Sequence, residues 1–532
     1  MPPRGADVVV DALAAAGVRT LFSLSGNQIL SVYDAAIDRD LALIHTRHEA
    51  AAVHMADGWA RMTELPGVAL VTAGPGHLNA VSALYTALMS QSPVVLLSGH
   101  APRAQRGRGA FQEIDQVAAA APVVKAAWLA ERAEALGEDI RRALALAGAW
   151  PPGPVHVSLP GDLLESRVDA PPPPAPPAPP APPVEDAAVD AAVEALVAAR
   201  RPLVVVGPAM GRPARWREVA RLAEVAGIPA LLMESPRGVN DPALRAAAGS
   251  LAEADVVLLL GKRLDFSLRF GGTPFHAGCR FVHADVDAVP APRIAVAISA
   301  GPVDAARALA ARWPSGRRAD AGWAKDVEAA RRLTPPQWQA LARSTATPMH
   351  PLRVCAALAP HLDARSVLVC DGGEFGQWCQ AGLDAAHRLI NGPSGSIGSA
   401  IPMALGARLA RPDALVVATL GDGTFGFHAL ELDTAVRHRI PIVAVVGNDA
   451  RWNAEHQLQL AQFGAGRARG CELLPTRYDR VVEALGGHGE RVERPEDLAP
   501  ALERAIRSGR PACVDALIDG VAAPTFTAGA GH

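Results

Sequence analysis

Short apolar runs that end in glycine recur along this chain, and they restrict its possible folds more than any other feature. The runs Val68–Val71, Val256–Leu260 and Leu415–Leu420 each lie directly before a glycine or a glycine-containing turn. Helical patterns lie between such runs, which is typical of buried parallel strands in β-α-β units. Because the pattern occurs in three successive blocks, we predict an α/β fold with three consecutive doubly wound parallel-sheet domains.

A segment of proline and alanine interrupts the pattern after the first block. Residues 171–183 read PPPPAPPAPPAPP, a composition that disfavours helix and sheet and favours an extended polyproline II spacer. The segment could alternatively bind a partner, although it contains no Arg or Lys. The predicted boundaries are 1–168 for the N-terminal domain, 169–185 for the linker, 186–335 for a middle Rossmann-like domain and 345–525 for the C-terminal domain.

Composition excludes several classes of function. The chain has 51 basic and 54 acidic residues, a formal net charge of −3 and no basic block, so we expect no nucleic-acid partner. Its longest apolar runs fall far short of the ~20 residues that span a bilayer, so we expect no membrane partner. The six cysteines include no C-x-x-C pair, which indicates reduced thiols and a cytoplasmic location.

Two aspartates follow neighbouring apolar runs in the third block. Gly421, Asp422, Gly423 and Thr424 come at the end of one predicted strand, and Asp449 comes at the end of the next. In a parallel sheet both strand ends meet at one edge, where glycines admit an anionic group and carboxylates suit Mg²⁺. The residues alone leave two interpretations open, a metal–phosphate site or two aspartates in ordinary β-α turns.

A Gly-Asp-Gly sequence, followed about 25 residues later by Asn and a further polar residue, resembles the signature of thiamine-diphosphate-dependent enzymes. The resemblance implies that Mg²⁺ lies between the cofactor's diphosphate, the carboxylates of Asp422 and Asp449, and the main-chain carbonyl of Arg451. Most members of the family have Asn where this chain has Asp449. The diphosphate is also expected to lie along a loop that contains Gly373, Glu374 and Phe375.

A second segment, residues 46–61, reads TRHEAAAVHMADGWAR and resembles the pyrimidine-binding domain of the same enzymes. By itself Glu49 could be an ordinary acid in a first helical turn, where it complements the helix dipole. The resemblance implies instead that Glu49 hydrogen-bonds N1′ of the aminopyrimidine and so activates the thiazolium C2–H. It further implies that Ile397 supports the bent cofactor, whereas packing alone would equally make Ile397 a core residue.

The resemblance extends to the order of the domains, which is pyrimidine-binding, middle and diphosphate-binding. In the family the pyrimidine domain of one chain faces the diphosphate domain of another. A homodimer or homotetramer with active sites at the subunit interface is therefore implied, with Glu49 and Asp422 of one site on different chains. The substrate pocket is expected to include Ser25, Asn27, Gln28 and His77, with Gln112 facing the substrate.

The motifs are similar to those of acetolactate synthases, benzaldehyde lyase and 2-hydroxyacyl-CoA lyases. An acetolactate synthase would decarboxylate a 2-oxo acid such as pyruvate and ligate the product to a second carbonyl. Leu458 departs from this pattern, because those synthases have tryptophan there. The alternatives are a 2-hydroxyacyl-CoA or acyloin C–C lyase that does not decarboxylate, and a non-catalytic cofactor-binding homologue. The presence of Glu49 and Asp422 argues against the last.

The ligand of the middle domain is left open by the sequence. In relatives this domain binds FAD, binds a CoA-type nucleotide or is empty, and the chain has no G-x-G-x-x-G fingerprint here. FAD could therefore be bound, although no motif supports it. Arg263 and Arg269 could contact a phosphate or could be solvated surface charges.

Overall fold

The computed structural model describes residues 2–168 and 182–526, and it contains three parallel β-sheets. Most strand residues are buried, because helices cover both faces of each sheet. The prediction of an α/β protein with three consecutive parallel-sheet domains is confirmed. Residues 169–181 of the predicted linker lie outside the described residues, so its extended conformation stays a prediction.

The N-terminal domain is a six-stranded parallel sheet with helices between the strands. Its strands are β1 (Thr20–Ser23), β2 (Ala42–His45), β3 (Gly67–Val71), β4 (Val94–His100), β5 (Ala126–Leu129) and β6 (Val155–Pro160). They lie in the order β2-β1-β3-β4-β6-β5. The helices are α1 (Gly5–Ala15), α2 (Leu30–Ile37), α3 (Glu49–Thr63), α4 (Pro75–Met89), α5 (Gln116–Ala120), α6 (Leu136–Gly148) and α7 (Gly161–Glu165).

The middle domain is a five-stranded parallel sheet. Its strands are β7 (Pro202–Val206), β8 (Ala230–Leu232), β9 (Val256–Leu260), β10 (Arg280–Asp285) and β11 (Ile294–Ser299). They lie in the order β11-β10-β9-β7-β8, which is that of flavodoxin-like doubly wound sheets. The helices are α8 (Asp186–Ala198), α9 (Pro213–Ala226), α10 (Ser250–Glu253), α11 (Pro302–Arg312), α12 (Ala321–Arg332) and α13 (Pro336–Ala342).

The C-terminal domain is again a six-stranded parallel sheet. Its strands are β12 (Val367–Cys370), β13 (His387–Ile390), β14 (Val416–Gly421), β15 (Val443–Asn448), β16 (His488–Val492) and β17 (Ala512–Leu517). They lie in the order β13-β12-β14-β15-β17-β16. The helices are α14 (Pro351–Leu358), α15 (Gly373–Gly382), α16 (Ala400–Ala410), α17 (Asp422–His428), α18 (Glu431–Arg437), α19 (Asn453–Phe463), α20 (Tyr478–Ala484) and α21 (Leu498–Arg507).

The N-terminal and C-terminal sheets have the same strand order. Counted from the first strand of each domain, both run 2-1-3-4-6-5. The two sheets belong to one compact unit, which comprises the described residues within 2–168 and 342–522. The middle sheet belongs to a second unit, residues 182–341 with 523–526. The middle domain is therefore inserted, along the sequence, between two halves of a single packing unit.

Helix α3 packs along helix α16, and this contact joins the N-terminal sheet to the C-terminal one. A Cβ on Gly58 would lie 2.3 Å from the Met403 carbonyl oxygen, and a Cβ on Gly406 would lie 2.0 Å from the Met55 carbonyl oxygen. Only glycine lets the two backbones approach so closely. Buried apolar residues from both domains form one continuous core around these helices.

A buried ion pair extends the same contact. Arg61 and Asp57 lie one turn apart on α3, and both side chains are almost completely buried. The guanidinium Nε and Nη2 donate to the Asp57 carboxylate at 2.7 and 2.6 Å, while Nη1 donates to the Ile390 carbonyl at 2.7 Å. Because the buried charges are paired and hydrogen-bonded, they fix α3 against the end of β13.

Most predicted strands coincide with observed ones, and the differences are at the ends. The run Val256–Leu260 is β9, and Val68–Val71 lies within β3. The apolar run Ile440–Val446 before Asp449 predicts a strand, and β15 begins three residues later than that run, at Val443. The helical pattern predicted after the Gly-Asp-Gly turn divides into α17 and α18. None of the described helices has the length and apolar character that a membrane-spanning helix needs.

Candidate active site

The two predicted metal-binding aspartates lie together at the carboxyl edge of the C-terminal sheet. Strands β14 and β15 are neighbours, and Gly421 pairs in register with Gly447. Asp422 begins α17 and is buried, and Asp449 follows β15. Their carboxyl groups lie close enough to perturb each other electrostatically. Burial raises the pKa of both carboxyls, and repulsion from Asp449 raises the pKa of Asp422 further, so the pair is an electrostatically unfavourable arrangement without a cation.

The chemistry of this pair fits a divalent cation. Asp422 Oδ2 is buried and has no hydrogen-bond partner within the described residues. Such an oxygen is costly unless it binds a cation or a donor. No group of three or more His, Cys, Asp or Glu side chains placed to hold a metal occurs in the described part of the chain. A magnesium ion would therefore complete its coordination with main-chain and cofactor oxygens, as this metal commonly does.

The loop after β15 presents Asp449 to this site and turns Asn448 away from it. Asn448 Nδ2 donates to Oδ1 of Asp515, a buried residue of β17, at 2.9 Å. The two backbone hydrogen bonds that tie this loop to residues 471–473 use the carbonyls of Ala450 and Cys471. Neither bond uses the carbonyl of Arg451, which is the main-chain oxygen predicted to bind the metal.

Gly373, Glu374 and Phe375 form the first turn of helix α15, so the prediction of a loop here was wrong. The side chains of Glu374 and Phe375 are buried, and a Cβ on Gly447 would lie 2.3 Å from the Phe375 ring. Packing against β15 therefore favours a helix at this strand end. The backbone N–H groups of the first turn are the groups that can face a diphosphate.

Ile397 lies in the segment between β13 and α16, where it is half-buried. A Cβ on Gly372 would lie 2.7 Å from Ile397 Cγ2, so the isoleucine packs directly on the turn before α15. This places Ile397 beside the turn expected to bind diphosphate. The role of Ile397 as the support of a bent cofactor stays a prediction.

Glu49 is the first residue of α3, as predicted, and is 8% exposed. His48 caps this helix, because its Nδ1 accepts a hydrogen bond from the Ala50 N–H at 3.1 Å. Asn79 Nδ2 donates to Glu49 Oε2 at 3.0 Å. Glu49 Oε1 would lie 3.2 Å from a Cβ on Gly76. One oxygen of the Glu49 carboxylate is thus held by the Asn79 amide, and the other faces the segment Gly74-Pro75-Gly76 at the start of α4.

Polar side chains continue from Glu49 along the carboxyl edge of the N-terminal sheet. Gln28 Nε2 donates to Gln112 Oε1 at 3.1 Å, and Gln28 Oε1 accepts from Thr72 Oγ1 at 2.5 Å. The methyl group of Thr72 would lie 2.7 Å from a Cβ on Gly76, beside Glu49. The structure therefore brings the predicted Glu49, Gln28 and Gln112 into one group, and Thr72 links them.

Ser25 and Asn27 lie between β1 and α2 at the same sheet edge, and both are exposed. Ser25 Oγ lies 3.2 Å from His45 Nε2. Glu49 begins α3 after β2, whereas Asp422 and Asp449 follow β14 and β15. The predicted site residues thus form two groups, one on the N-terminal sheet and one on the C-terminal sheet.

His77 is buried in this structure, and its place in the substrate pocket stays a prediction. Its side chain is fully buried, its Nδ1 lies 2.9 Å from Ser98 Oγ, and its ring centroid lies 4.4 Å from that of His156. Burial lowers the pKa of His77 to about 4, which keeps the ring neutral. The burial results from helix phase, because His77 shares the inward face of α4 with Ala80 and Leu84.

Glu431 is a buried side chain that sequence reasoning missed, and it holds the start of α3. Its Oε1 and Oε2 lie 3.0 and 3.2 Å from the Arg47 N–H, two residues before Glu49. Thr434 Oγ1 also donates to it, at 2.7 Å. Burial raises the pKa of Glu431 to about 7. Its position between two leucines on a predicted helix is the only signal for it in the sequence.

The two arginines considered in the middle domain show no arrangement for a phosphate. Arg263 forms an ion pair with Asp287 at 2.5 Å, and both side chains are mostly exposed. Arg269 is exposed and has a φ of +51°. Surface ion pairs of this kind contribute little to stability or binding. The contacts favour the interpretation of these arginines as solvated surface charges.

The chain matches three family models along most of its length. Residues 3–119 match the thiamine pyrophosphate enzyme N-terminal TPP binding domain, 189–309 the central domain and 371–516 the C-terminal TPP binding domain. The chain is 39% identical over 519 residues to the acetolactate synthase large subunit IlvG of Mycobacterium tuberculosis. The aligned region covers 95% of this chain and 94% of that protein.

Other relatives carry two different names. The chain is 32% identical over 570 residues to 2-hydroxyacyl-CoA lyase 2 of Bos taurus, covering 96% of this chain and 88% of that protein. It is 29% identical over 544 residues to an acetolactate synthase of Bacillus subtilis, covering 97% and 93%.

Three parallel sheets, with a carboxylate pair at the edge of one and a single glutamate at the edge of another, define a cofactor-dependent α/β enzyme. With the matches above, the chain belongs to the thiamine pyrophosphate enzyme family, whose cofactor is also called thiamine diphosphate. The predictions of this family, and of a thiamine-diphosphate-dependent enzyme that forms or cleaves C–C bonds, are confirmed.

Proposed function

We propose that this protein is a carboligase of the acetolactate synthase type. It decarboxylates a 2-oxo acid such as pyruvate and joins the remaining fragment to a second carbonyl compound. The observation that carries the proposal is the 39% identity to an acetolactate synthase large subunit over 95% of the chain. The two groups of polar residues at the sheet edges supply what this chemistry needs, namely a cation site and a buried activating carboxylate.

The C-terminal group is proposed to bind the cofactor and its metal. Asp422 and Asp449 would hold Mg²⁺ together with the main-chain carbonyl of Arg451, and the unpartnered Asp422 Oδ2 supports this assignment. The N–H groups at the start of α15 would bind the diphosphate, with the Gly421–Thr424 turn beside them. When bound, thiamine diphosphate would supply an electron sink for the negative charge that develops on the substrate's carbonyl carbon as the neighbouring C–C bond breaks.

The N-terminal group is proposed to carry the proton chemistry and to orient the substrate. Glu49 exchanges a proton with N1′ of the aminopyrimidine. Asn79 fixes the rotamer of Glu49 by donating a hydrogen bond to Glu49 Oε2. The burial of Glu49 excludes water from this exchange. Gln28 and Gln112, already hydrogen-bonded to each other, present amide groups to the substrate's carbonyl and carboxylate oxygens.

We further propose that the active unit is at least a homodimer, with each site formed by two chains. The family resemblance supports this assembly, since in the family the pyrimidine domain of one chain faces the diphosphate domain of another. Both sheet edges also expose large apolar side chains, among them Phe111 at 70% and Phe427 at 54%, which is typical of a surface covered by another chain.

Subunit mixing tests the shared site. Glu49→Gln and Asp422→Asn chains, each inactive alone, would be co-expressed with different tags. In a random mixture half of the dimers are hybrids, and one site in each hybrid has both native residues. Activity of about a quarter of the wild-type value is expected. No recovery in purified hybrids would place both residues in a site within one chain.

A second candidate function is a 2-hydroxyacyl-CoA or acyloin C–C lyase that does not decarboxylate. The 32% identity to 2-hydroxyacyl-CoA lyase 2 over 96% of the chain favours it, as does Leu458 in place of the tryptophan expected in acetolactate synthases. Both candidates use the same cation site and the same activating glutamate.

One NMR time course separates the two candidates. Purified protein with Mg²⁺ and thiamine diphosphate would be mixed with pyruvate and the products identified. Acetolactate or acetoin with release of CO₂ is the expected result. No consumption of pyruvate, together with cleavage of a 2-hydroxyacyl-CoA or acyloin by the same preparation, would establish the lyase. The absorption spectrum of the purified protein would show whether the middle domain holds FAD.

We also propose a cytoplasmic location. All six cysteines are buried and unpaired, which supports a protein that is kept in a reducing compartment. Fractionation of the native host with immunodetection would test it, and recovery from a secreted fraction would overturn it.

A further inference from the structure

Asp371 is a completely buried carboxylate that the proposed function does not use. It follows strand β12, and its side chain is 0% exposed. Three backbone N–H groups donate to it. Gly372 and Gly398 donate to Oδ1 at 2.8 and 2.9 Å, and Ala400 donates to Oδ2 at 3.0 Å. Among the described residues no side-chain cation pairs with this carboxylate, so backbone N–H groups from two segments satisfy it.

These donors come from the two segments next to Ile397, the residue predicted to support the bent cofactor. Gly372 belongs to the turn before α15, whereas Gly398 directly follows Ile397 and Ala400 begins α16. One carboxylate therefore fixes the distance between the turn that would bind diphosphate and the segment that contains Ile397.

Two further side chains hold the same segment from other directions. His428 Nδ1 donates to the Gly398 carbonyl at 2.7 Å, and Asn391 Nδ2 donates to the Ser396 carbonyl at 2.8 Å. The backbone groups immediately before and after Ile397 are thus both anchored. The isoleucine side chain, in contrast, is held only by packing.

The backbone in this segment is closely confined. Gly398 has a φ of +87°, a conformation that favours glycine, and a Cβ there would lie 2.4 Å from Phe427 Cβ. Burying an anion to achieve this is expensive, and burial raises the pKa of Asp371 to about 6 although the three N–H groups lower it. A costly group at this place indicates a positional role.

We propose that Asp371 is a positioning residue that holds Ile397 where the two rings of bound thiamine diphosphate meet, with His428 as a second anchor through Gly398. The inference rests on the proposed function, because it matters only if Ile397 supports the bent cofactor. Asp371 itself is enclosed by protein and acts through the isoleucine.

The test variant is Asp371→Asn, which keeps the shape but replaces one acceptor oxygen with an N–H₂ donor. The readout is hydrogen–deuterium exchange at C2 of the bound cofactor, followed by NMR after acid quenching, because it reports ring geometry independently of substrate. Exchange is expected to slow at least about tenfold, as when a group that positions a reacting centre is misplaced. Unchanged exchange would overturn the proposal.

A double-mutant cycle with Ile397→Ala separates positioning from general destabilisation. If Asp371 acts through the isoleucine, Asp371→Asn slows exchange by less than about twofold once Ile397 is alanine. Equal slowing in both backgrounds would show that Asp371 acts by another route. Should Asp371→Asn not fold, His428→Phe, which loses the bond to the Gly398 carbonyl, takes its place in the same cycle.

A matched control is Asp241→Asn in the middle domain. Asp241 is also a buried aspartate that accepts a backbone N–H, from Ala243 at 2.9 Å. Its substitution should lower the melting temperature without slowing C2 exchange. If the proposed function itself is wrong, the result is different. Wild-type protein would then not accelerate C2 exchange over that of free cofactor, and Glu49→Gln would not change the exchange rate.

Discussion

The N-terminal and C-terminal sheets share one strand order but present different chemistry at their carboxyl edges. The N-terminal edge has a single carboxylate, Glu49, next to the amide side chains of Gln28 and Gln112. The C-terminal edge has the carboxylate pair Asp422 and Asp449. Glu49 follows the second strand of its sheet, whereas Asp422 and Asp449 follow the third and fourth strands of theirs. The shared topology places polar residues at the carboxyl edge of each sheet, and the residues at particular strand ends decide which chemistry is possible there.

The comparison extends to the two helices that pack together. Helices α3 and α16 each connect the second strand of a sheet to the third. Glu49 begins α3, and Ile397 lies just before α16. Equivalent places in the two domains therefore carry the proposed proton-transfer group and the proposed support of the cofactor. If this division is right, substitutions at the N-terminal edge should affect chemistry, and those at the C-terminal edge should affect binding.

Glu49→Gln should cause the largest effect and should leave cofactor binding nearly intact. Turnover is expected to fall by about 10²–10⁴-fold, because a positioned proton-transfer group contributes this much. Steady-state kinetics and calorimetric titration with thiamine diphosphate would measure the two properties. Glu134→Gln, an exposed glutamate in the same domain, is the control. Near-normal turnover in Glu49→Gln would remove Glu49 from the chemistry.

Asp422→Ala should show the reverse pattern. Affinity for thiamine diphosphate in the presence of Mg²⁺ is expected to fall at least about 100-fold, since loss even of an outer partner of a metal site costs 10–100-fold. Titration calorimetry at several Mg²⁺ concentrations would check it, with the exposed Asp413→Ala as control. Retained affinity with lost turnover would contradict the division between the two edges.

Gly406→Ala should break the contact that joins the two sheets. A Cβ there would lie 2.0 Å from the Met55 carbonyl, so α3 and α16 must move apart, at a cost of about 3 kcal/mol in the free energy of unfolding. Chemical denaturation would measure the loss. Gly426→Ala is the matched control, since a Cβ at this helical glycine would meet no atom within 4 Å. Equal stability of the two variants would argue against close helix packing.

Glu431→Gln should have the smallest effect, a change in how stability depends on pH. Burial raises the pKa of Glu431 from 4.5 to about 7, so between these values the folded state keeps a proton that the unfolded state has released. This group therefore lowers the free energy of unfolding as pH rises through that window. The variant, whose amide does not titrate, should lack this decline. Parallel stability curves for variant and wild type between pH 4.5 and 7 would contradict it.

Local sequence was sufficient to place Glu49 and Asp422 at the start of helices that follow strands. Their roles came from the family resemblance and stay predictions. Asp371 and Glu431 are different. Their backbone donors lie as far as 29 and 384 residues away, so only the packing of the sheets reveals them. His77 shows a third limit, since a motif gives its position on α4 but the phase of the helix decides which way its ring faces.

The interlocked glycines of α3 and α16 have a consequence during synthesis. The apolar face of α3 leaves the ribosome early, but its partner Met403 follows roughly 345 residues later. At about 5–20 residues per second, the newly made N-terminal sheet waits some 20–70 s with that face uncovered. The apolar face of α3 stays uncovered during this interval, so we expect chaperones to bind the nascent N-terminal domain.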